Sequence, residues 1–166
     1  MDLTNKKVLV IGAARSGIAA AKIIRNLELG IRNGQAEVIL SDSKQESDIK
    51  FDFSELRELG IDLRFGKQSE ELLSGVDLII VSPAVPIKIP VLRAAAEKNI
   101  PIISEVELAY DLAKSPICAV TGTNGKTTTV TLLGLLLKEK FPKAQVGGNI
   151  GFPLSEVALK SARADI

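Results

Sequence analysis

The feature that most constrains the fold is an alternation of short, wholly apolar runs with longer amphipathic ones. Lys7–Ile11 (KVLVI) predicts a buried strand, Gly12–Arg15 a turn, and the stretch from Ser16, a candidate N-cap, to Leu29 a helix with apolar residues at helical spacing. The same alternation predicts further strands over 37–40, 62–65, 77–81, 100–103, 117–120 and 144–146, and helices over 52–59, 90–98, 104–113 and 130–140. Glu107 stands at capping-box spacing from Ser104. Strands that alternate with helices indicate a parallel, doubly wound α/β sheet, in which ligands bind at the carboxyl ends of the strands.

Composition excludes several classes of protein. The 166 residues are 46% hydrophobic and 25% charged, which is typical of a folded chain, and the net charge is +1. A basic nucleic-acid-binding module is therefore not expected, and no apolar run approaches the roughly 18–20 residues that span a bilayer. The first residues run directly into a strand and do not resemble a secretory signal. We expect neither a nucleic acid nor a membrane as partner.

Two residue counts limit the chemistry. The chain has no histidine, which rules out Ser-His-Asp catalysis and zinc sites with His ligands within these residues. It has one cysteine, so an intrachain disulfide cannot form and a cytoplasmic location is expected. Cys118 lies in an apolar run, and we expect it to be a buried small hydrophobe.

The strongest motif is a glycine-rich loop at 122–128. A predicted strand runs into Thr-Gly-Thr-Asn-Gly-Lys-Thr-Thr and then into a helix, which is the arrangement of a nucleotide phosphate loop. Backbone N–H groups and the helix N-terminus would bind phosphate, Lys126 would reach the β- and γ-phosphates, and Thr127 could bind Mg²⁺. Val120 stands where the strict pattern has its first glycine, so this is a shorter variant that begins at Gly122.

A second motif, Gly12-Ala13-Ala14-Arg15-Ser16-Gly17, is similar to the dinucleotide fingerprint. Ala14 replaces the middle glycine that allows close approach of a pyrophosphate, which weakens the case for NAD or FAD. The turn could bind phosphate at the helix start or serve packing alone. Asp42, at the end of the second strand, could bind a ribose hydroxyl or a base edge, or be a solvated loop residue.

Other polar segments are less informative alone. Ser82-Pro83 follows the fourth predicted strand and would lie beside the same crevice. Gly147–Gly151 contains three glycines and Asn149, and by itself could be an ordinary turn. We expect the remaining conspicuous charges to be solvated surface groups: Arg15, Lys88, Arg93, Glu105 and Glu107.

Taken together, these segments resemble the Mur ligase family, and within it the branch that adds D-glutamate. The resemblance covers nearly the whole chain. It implies a Rossmann-like domain over 1–104 that binds a UDP-sugar, followed over 105–166 by the truncated first part of a P-loop-type ATP-binding domain. Residues implied at the UDP-sugar are Arg15, Ser16, Gly17, Asp42, Ser43, Ala84 and Asn149. Those implied at ATP are Gly122, Thr123, Asn124, Gly125, Lys126, Thr127 and Thr128, with Lys126 catalytic and Thr127 on Mg²⁺. The family usually has glycine where Ala84 stands here.

The resemblance also implies a reaction in peptidoglycan biosynthesis. The carboxylate of UDP-N-acetylmuramoyl-L-alanine would attack ATP to give an acyl phosphate, and D-glutamate would then displace phosphate. Members of the family have three domains, so we expect this chain to be an N-terminal fragment that is inactive alone, and a monomer. The alternatives are a folylpolyglutamate-type ligase, a nicotinamide-dependent oxidoreductase built on Gly12–Gly17, and a nucleotide-binding module without catalysis.

Overall fold

We describe the fold from a computed structural model. The structure describes residues 1–28, 36–148 and 151–158. Its centre is a five-stranded parallel sheet in the order β3-β2-β1-β4-β5. The strands are β1 (Lys7–Ile11), β2 (Glu37–Asp42), β3 (Asp62–Phe65), β4 (Leu78–Val81) and β5 (Ile102–Ser104). Because β1 and β4 are apolar at nearly every position, both of their faces can be covered, as a parallel sheet requires.

Helices cover both faces of the sheet. The helices are α1 (Arg15–Glu28), α2 (Ser54–Glu58), α3 (Pro90–Glu97), α4 (Glu105–Leu112) and α5 (Lys126–Lys140). α1, α2 and α4 supply apolar residues to one buried cluster, which includes Ile24, Leu56 and Leu108. α3 and the short 3-10 helix Glu70–Leu73 supply the cluster on the opposite face. The predicted doubly wound α/β architecture is confirmed.

Two local predictions are tested at helix N-termini. Ser104 and Glu107 form the predicted capping box at the start of α4, because each side chain accepts a hydrogen bond from the other residue's backbone N–H. α1 instead begins at Arg15, one residue before the predicted start. Ser16 therefore lies inside the first turn and is not the N-cap, and the backbone carbonyl of Ala14 accepts the hydrogen bond of Ile18 N–H at 2.9 Å.

The segment after α4 differs from the prediction. Residues 117–120 form no strand, and Cys118 is exposed, so the predicted buried strand and buried thiol are both wrong for the described structure. A strand needs a neighbour for its backbone hydrogen bonds, and no described residue pairs with this run. The predicted strand at 144–146 is also absent, and only an isolated bridge joins Gly147 to Phe152. α5 forms, but its side chains Leu132, Leu135 and Leu136 are exposed.

Candidate nucleotide site

Three turns meet where the order of the strands reverses. β1 pairs with β2 on one side and with β4 on the other, so the turns after these strands share the carboxyl edge of the sheet. Backbone hydrogen bonds join them: Gly12 N–H donates to Ser41 O at 2.8 Å, and Ser82 N–H donates to Ile11 O at 3.0 Å. A crevice at such a switch point is the usual ligand site of an open α/β sheet.

Asp42 ties two of these turns together. Its Oδ2 accepts a hydrogen bond from Ala13 N–H at 2.8 Å, and its Oδ1 accepts one from Lys44 N–H at 2.9 Å. The side chain is half-buried, so Asp42 is not simply a solvated loop residue. Each carboxylate oxygen has a further lone pair, so the group can hold the turn and still accept a hydrogen bond from a ligand.

The glycines at the two ends of the Gly12–Gly17 motif are required for steric reasons. Gly12 has φ +100°, and a Cβ there would lie 2.7 Å from Val85 Cγ2 and 2.8 Å from Ser82 Cβ. A Cβ at Gly17 would lie 1.8 Å from the backbone oxygen of Gly12. Ala14, by contrast, is exposed, so its methyl group meets no such obstacle. The turn therefore needs its first and last glycines for packing, whatever it binds.

The other predicted substrate residues lie around this crevice. Arg15 and Ser16 open α1, Ser43 directly follows β2, and Ala84 lies in the turn after β4, where Val85 N–H donates to Ser82 O at 3.0 Å. Arg15, Ser43 and Ala84 are exposed and Ser16 is half-buried, so all four are open to a ligand in some degree. Asn149 lies outside the described residues.

A pocket of about 420 Å³ adjoins the start of α1. One wall is the outer face of α1 and the other is the segment after Gly151. The lining residues are Arg15, Ile18, Ala19, Lys22, Phe51, Gly151, Phe152, Pro153 and Glu156. The volume lies in the range of small-molecule sites, and the lining combines apolar rings with charged side chains.

The glycine-rich loop has two glycines in backbone conformations that favour glycine. Gly125 lies in the left-handed region at φ +75° and caps α5, and Gly122 has φ +142°. The ammonium group of Lys126 folds back onto the loop and donates to the carbonyls of Gly122 and Thr123. The first hydrogen bond into α5 runs from Thr129 N–H to Gly125 O at 2.9 Å, so the earlier N–H groups of the helix are left to face the loop.

Within this loop, Thr123, Asn124, Thr127 and Thr128 are all exposed. Thr127 lies in the first turn of α5, directly after Lys126. The described residues contain no group of three His, Cys, Asp or Glu side chains that could hold a metal. A cation here would therefore meet hydroxyl and amide oxygens of the loop and no cluster of three carboxylates from the described residues.

Sequence reasoning misplaced one carboxylate. Glu105 is only 2% exposed, whereas it was predicted to be a solvated surface charge. Its Oε1 accepts a hydrogen bond from Ser155 N–H at 2.7 Å and another from Ser155 Oγ. Glu107 is exposed as predicted, and the hydrogen bond from Ser104 N–H holds the pKa of its carboxyl below the usual value. No helix among the described residues has the length and apolar character to cross a membrane.

Solved structures resemble this fold at low sequence identity. A murein peptide ligase from Psychrobacter arcticus aligns over 82% of this chain and 27% of its own, with a TM-score of 0.55 and 21% identity. A pseudomurein peptide ligase type C from Methanothermus fervidus aligns over 93% of this chain and 31% of its own, with a TM-score of 0.54 and 24% identity. These likenesses support the α/β fold alone.

Sequence comparison is more specific. The family model described as "Mur ligase MurD-like, N-terminal domain" matches residues 6–104, which is more than half of the chain. The chain therefore belongs to the MurD-like family of Mur ligases.

Two curated relatives carry the same name, UDP-N-acetylmuramoylalanine–D-glutamate ligase. The protein from Thermoanaerobacter sp. is 46% identical over 99% of this chain, and the one from Enterococcus faecalis is 45% identical over 97%. The chain spans about a third of the length of these relatives, 35% and 34% respectively.

Proposed function

We propose that this chain supplies the UDP-sugar site and the ATP phosphate loop of a ligase that joins D-glutamate to UDP-N-acetylmuramoyl-L-alanine. The observation that carries the proposal is the meeting of three turns at the switch point of a sheet whose family model is MurD-like. The relatives that match nearly all of this chain are named for that reaction. We assign 1–104 to the UDP-sugar domain and 105–166 to the start of the ATP domain.

The UDP group would lie over the start of α1. The N–H groups of its first turn, at Arg15, Ser16 and Gly17, present the positive end of the helix to a diphosphate. Asp42 and Ser43 would bind the ribose or uracil from the end of β2. The backbone N–H of Ala84 would close the crevice from the β4 side, and Asn149 would approach from the following turn.

ATP would be held by the loop at 122–128. The ammonium group of Lys126 donates hydrogen bonds to two loop carbonyls. Oxygens of a phosphate bound in the loop would replace these carbonyls as its acceptors. Thr127 would contribute its hydroxyl to Mg²⁺, which, when bound, neutralises charge on the phosphates. The proposed use of ATP and of a nucleotide-linked sugar supports a cytoplasmic location.

The reaction class follows from these groups. A carboxylate oxygen of the substrate forms a bond to the γ-phosphorus while the bond to ADP breaks, which gives an acyl phosphate. The amine of D-glutamate then bonds to the acyl carbon, phosphate leaves, and the nitrogen loses a proton. This chain's own contribution is to position the two substrates and to offset phosphate charge with Lys126. The chain alone should have no ligase activity.

Titration calorimetry with UDP tests the first half of the proposal. We expect measurable binding to the 166-residue chain, weakened by Ser16→Ala and by Asp42→Ala. Ser74→Ala is a matched control, because Ser74 is exposed and precedes β4 at the opposite edge of the sheet. No binding, or equal affinity in all four proteins, would contradict the UDP assignment. If NADH instead binds with a change in its fluorescence, the oxidoreductase alternative is supported.

A fluorescent ATP analogue with Mg²⁺ tests the phosphate loop. Lys126→Ala should weaken binding of the analogue, because it removes the one cation that faces the loop carbonyls from within the motif. Lys138→Ala is the control, since Lys138 lies in the last turn of the same helix. Equal affinity of both variants and the unaltered chain would contradict the role of Lys126.

A further inference from the structure

A buried carboxylate links two segments that are 50 residues apart in sequence. Glu105 opens α4, directly after the region matched by the family model, and Ser155 lies in the short helix over 154–158. Both residues are buried, at 2% and 0% exposure. Ser155 donates both its backbone N–H and its hydroxyl to Oε1 of Glu105. Burial of a carboxylate is costly unless hydrogen bonds compensate, so this pair is a specific contact and not a chance approach of surface groups.

Apolar packing places the same short helix on the sheet domain. Ala158 belongs to the buried cluster that includes residues of α1 and α4, and Leu154 packs against that cluster. The pair Glu105–Ser155 therefore lies beside a packed apolar contact between the short helix and the sheet domain.

The short helix is in turn joined to the glycine-rich turn before it. Gly148 N–H donates to Phe152 O at 2.8 Å, and an isolated bridge pairs Gly147 with Phe152. A Cβ at Gly147 would lie 2.6 Å from Val157 Cγ2, so the helix and the turn are in close contact. The segment also forms the second wall of the 420 Å³ pocket beside Arg15.

We infer that Glu105 is a positioning residue: through Ser155 it docks the segment over 151–158 onto the sheet domain and so sets where Gly151 and Phe152 lie in the pocket beside Arg15. The inference rests on the proposed function only in its second part, that this pocket helps to bind the UDP-sugar. The docking itself is independent of any ligand.

Hydrogen exchange of the 166-residue chain tests the docking. Glu105→Ala should lower the protection of the backbone amides over 152–158, that of Ser155 most, while the amides of β1 and β4 keep theirs. Glu105→Gln should restore protection, because its amide oxygen can accept both hydrogen bonds. Asp111→Asn is the control, since Asp111 is an exposed carboxylate on the same helix. Unchanged protection in Glu105→Ala would overturn the inference.

Titration with UDP tests the positioning. The dissociation constant should rise at least about fivefold in Glu105→Ala, as is usual for coupled sites, and return to within about twofold in Glu105→Gln. Lost protection with unchanged affinity, or no rescue by glutamine, would overturn the positioning role. If Glu105→Ala does not fold, Ser155→Ala removes only the hydroxyl and should give the same changes at smaller size. If the unaltered chain binds no UDP, the proposed function fails, and hydrogen exchange still decides whether Glu105 docks the segment.

Discussion

Gly17→Ala provides a sharp test of the packing at the start of α1, because two physical effects predict changes of opposite sign in the stability of the protein. Alanine is favoured over glycine inside a helix by about 1 kcal/mol, so helix propensity alone predicts a more stable protein. The structure predicts the reverse. A Cβ at position 17 would lie 1.8 Å from Gly12 O, whereas real Cβ atoms essentially never come within 3.0 Å of such an atom. The helix or the turn would have to move by about 1.2 Å, the difference between 3.0 and 1.8.

The expected loss can be estimated from this displacement. Overpacking of a well-packed site costs about 1–3 kcal/mol, and more where backbone must move. Because backbone must move here, we use the upper end of that range, about 3 kcal/mol, and after the gain in propensity of about 1 kcal/mol we expect a net destabilisation of about 2 kcal/mol. For a chain of this size that corresponds to a fall of about 4–8 °C in the thermal midpoint, measured by calorimetry or circular dichroism.

Gly134→Ala is the matched control for this variant. It makes the same exchange inside α5, but the nearest atom is Val146 Cγ2 at 2.4 Å, which is a side-chain methyl group and not a backbone atom. Gly134→Ala should therefore lower the thermal midpoint less than Gly17→Ala does. A rise of the thermal midpoint in both variants would refute the steric reasoning. An equal fall in both would show that the short distance between a Cβ at position 17 and Gly12 O has no special role.

Four further predictions concern the capping box, the thiol and the turn at Asp42. Ser104→Ala should lower the free energy of unfolding by about 1 kcal/mol in urea at pH 7. The pKa of Glu107 is lowered in the folded state, so the stability that its carboxylate contributes is present above the ordinary value of 4.5 and is lost as the pH falls through the lower folded value. Glu107→Gln should therefore lower the free energy of unfolding at pH 7, and this loss should shrink as the pH falls below 4.5. Cys118 should react with Ellman's reagent in the native protein, and reaction only in urea would contradict its exposure. Asp42→Asn leaves one acceptor oxygen for two N–H groups, so it should lower the thermal midpoint, and an unchanged midpoint would contradict this role.

Most of the sheet could be predicted because its strands carry their own signal. β1 and β3 have the predicted bounds, and β4 differs by one residue, since apolar runs flanked by turn residues are local features. The capping box of α4 was predictable for the same reason, because Ser104 and Glu107 are three residues apart. The apolar run 117–120 carries a similar signal but forms no strand, because pairing depends on a neighbour that the sequence of the run does not contain.

In the candidate site, likewise, the motifs could be recognised from the sequence, whereas the contacts between residues distant in sequence could not. Gly12 and Gly17 were recognisable as a motif from their spacing. Spacing alone did not show whether the two glycines serve phosphate binding or packing. In the structure, Gly12 packs against Ser82 and Val85, and Gly17 packs against Gly12. Asp42 was left open between a ligand-binding and a solvated residue. Its contacts with Ala13 and Lys44 give it a third role, that of holding the turn.

The burial of Glu105 had a signal in the sequence that motif reading overlooked. Leu108, Ala109 and Leu112 follow Glu105 at intervals of three, four and seven residues, and these residues form the inward stripe of α4. Glu105 occupies the first position of that stripe, whereas Glu107 lies off it and reaches solvent. A carboxylate on the apolar stripe of a helix must find a donor within the protein. The stripe predicts that such a donor exists, but only the fold, which brings Ser155 across 50 residues, can say which one it is.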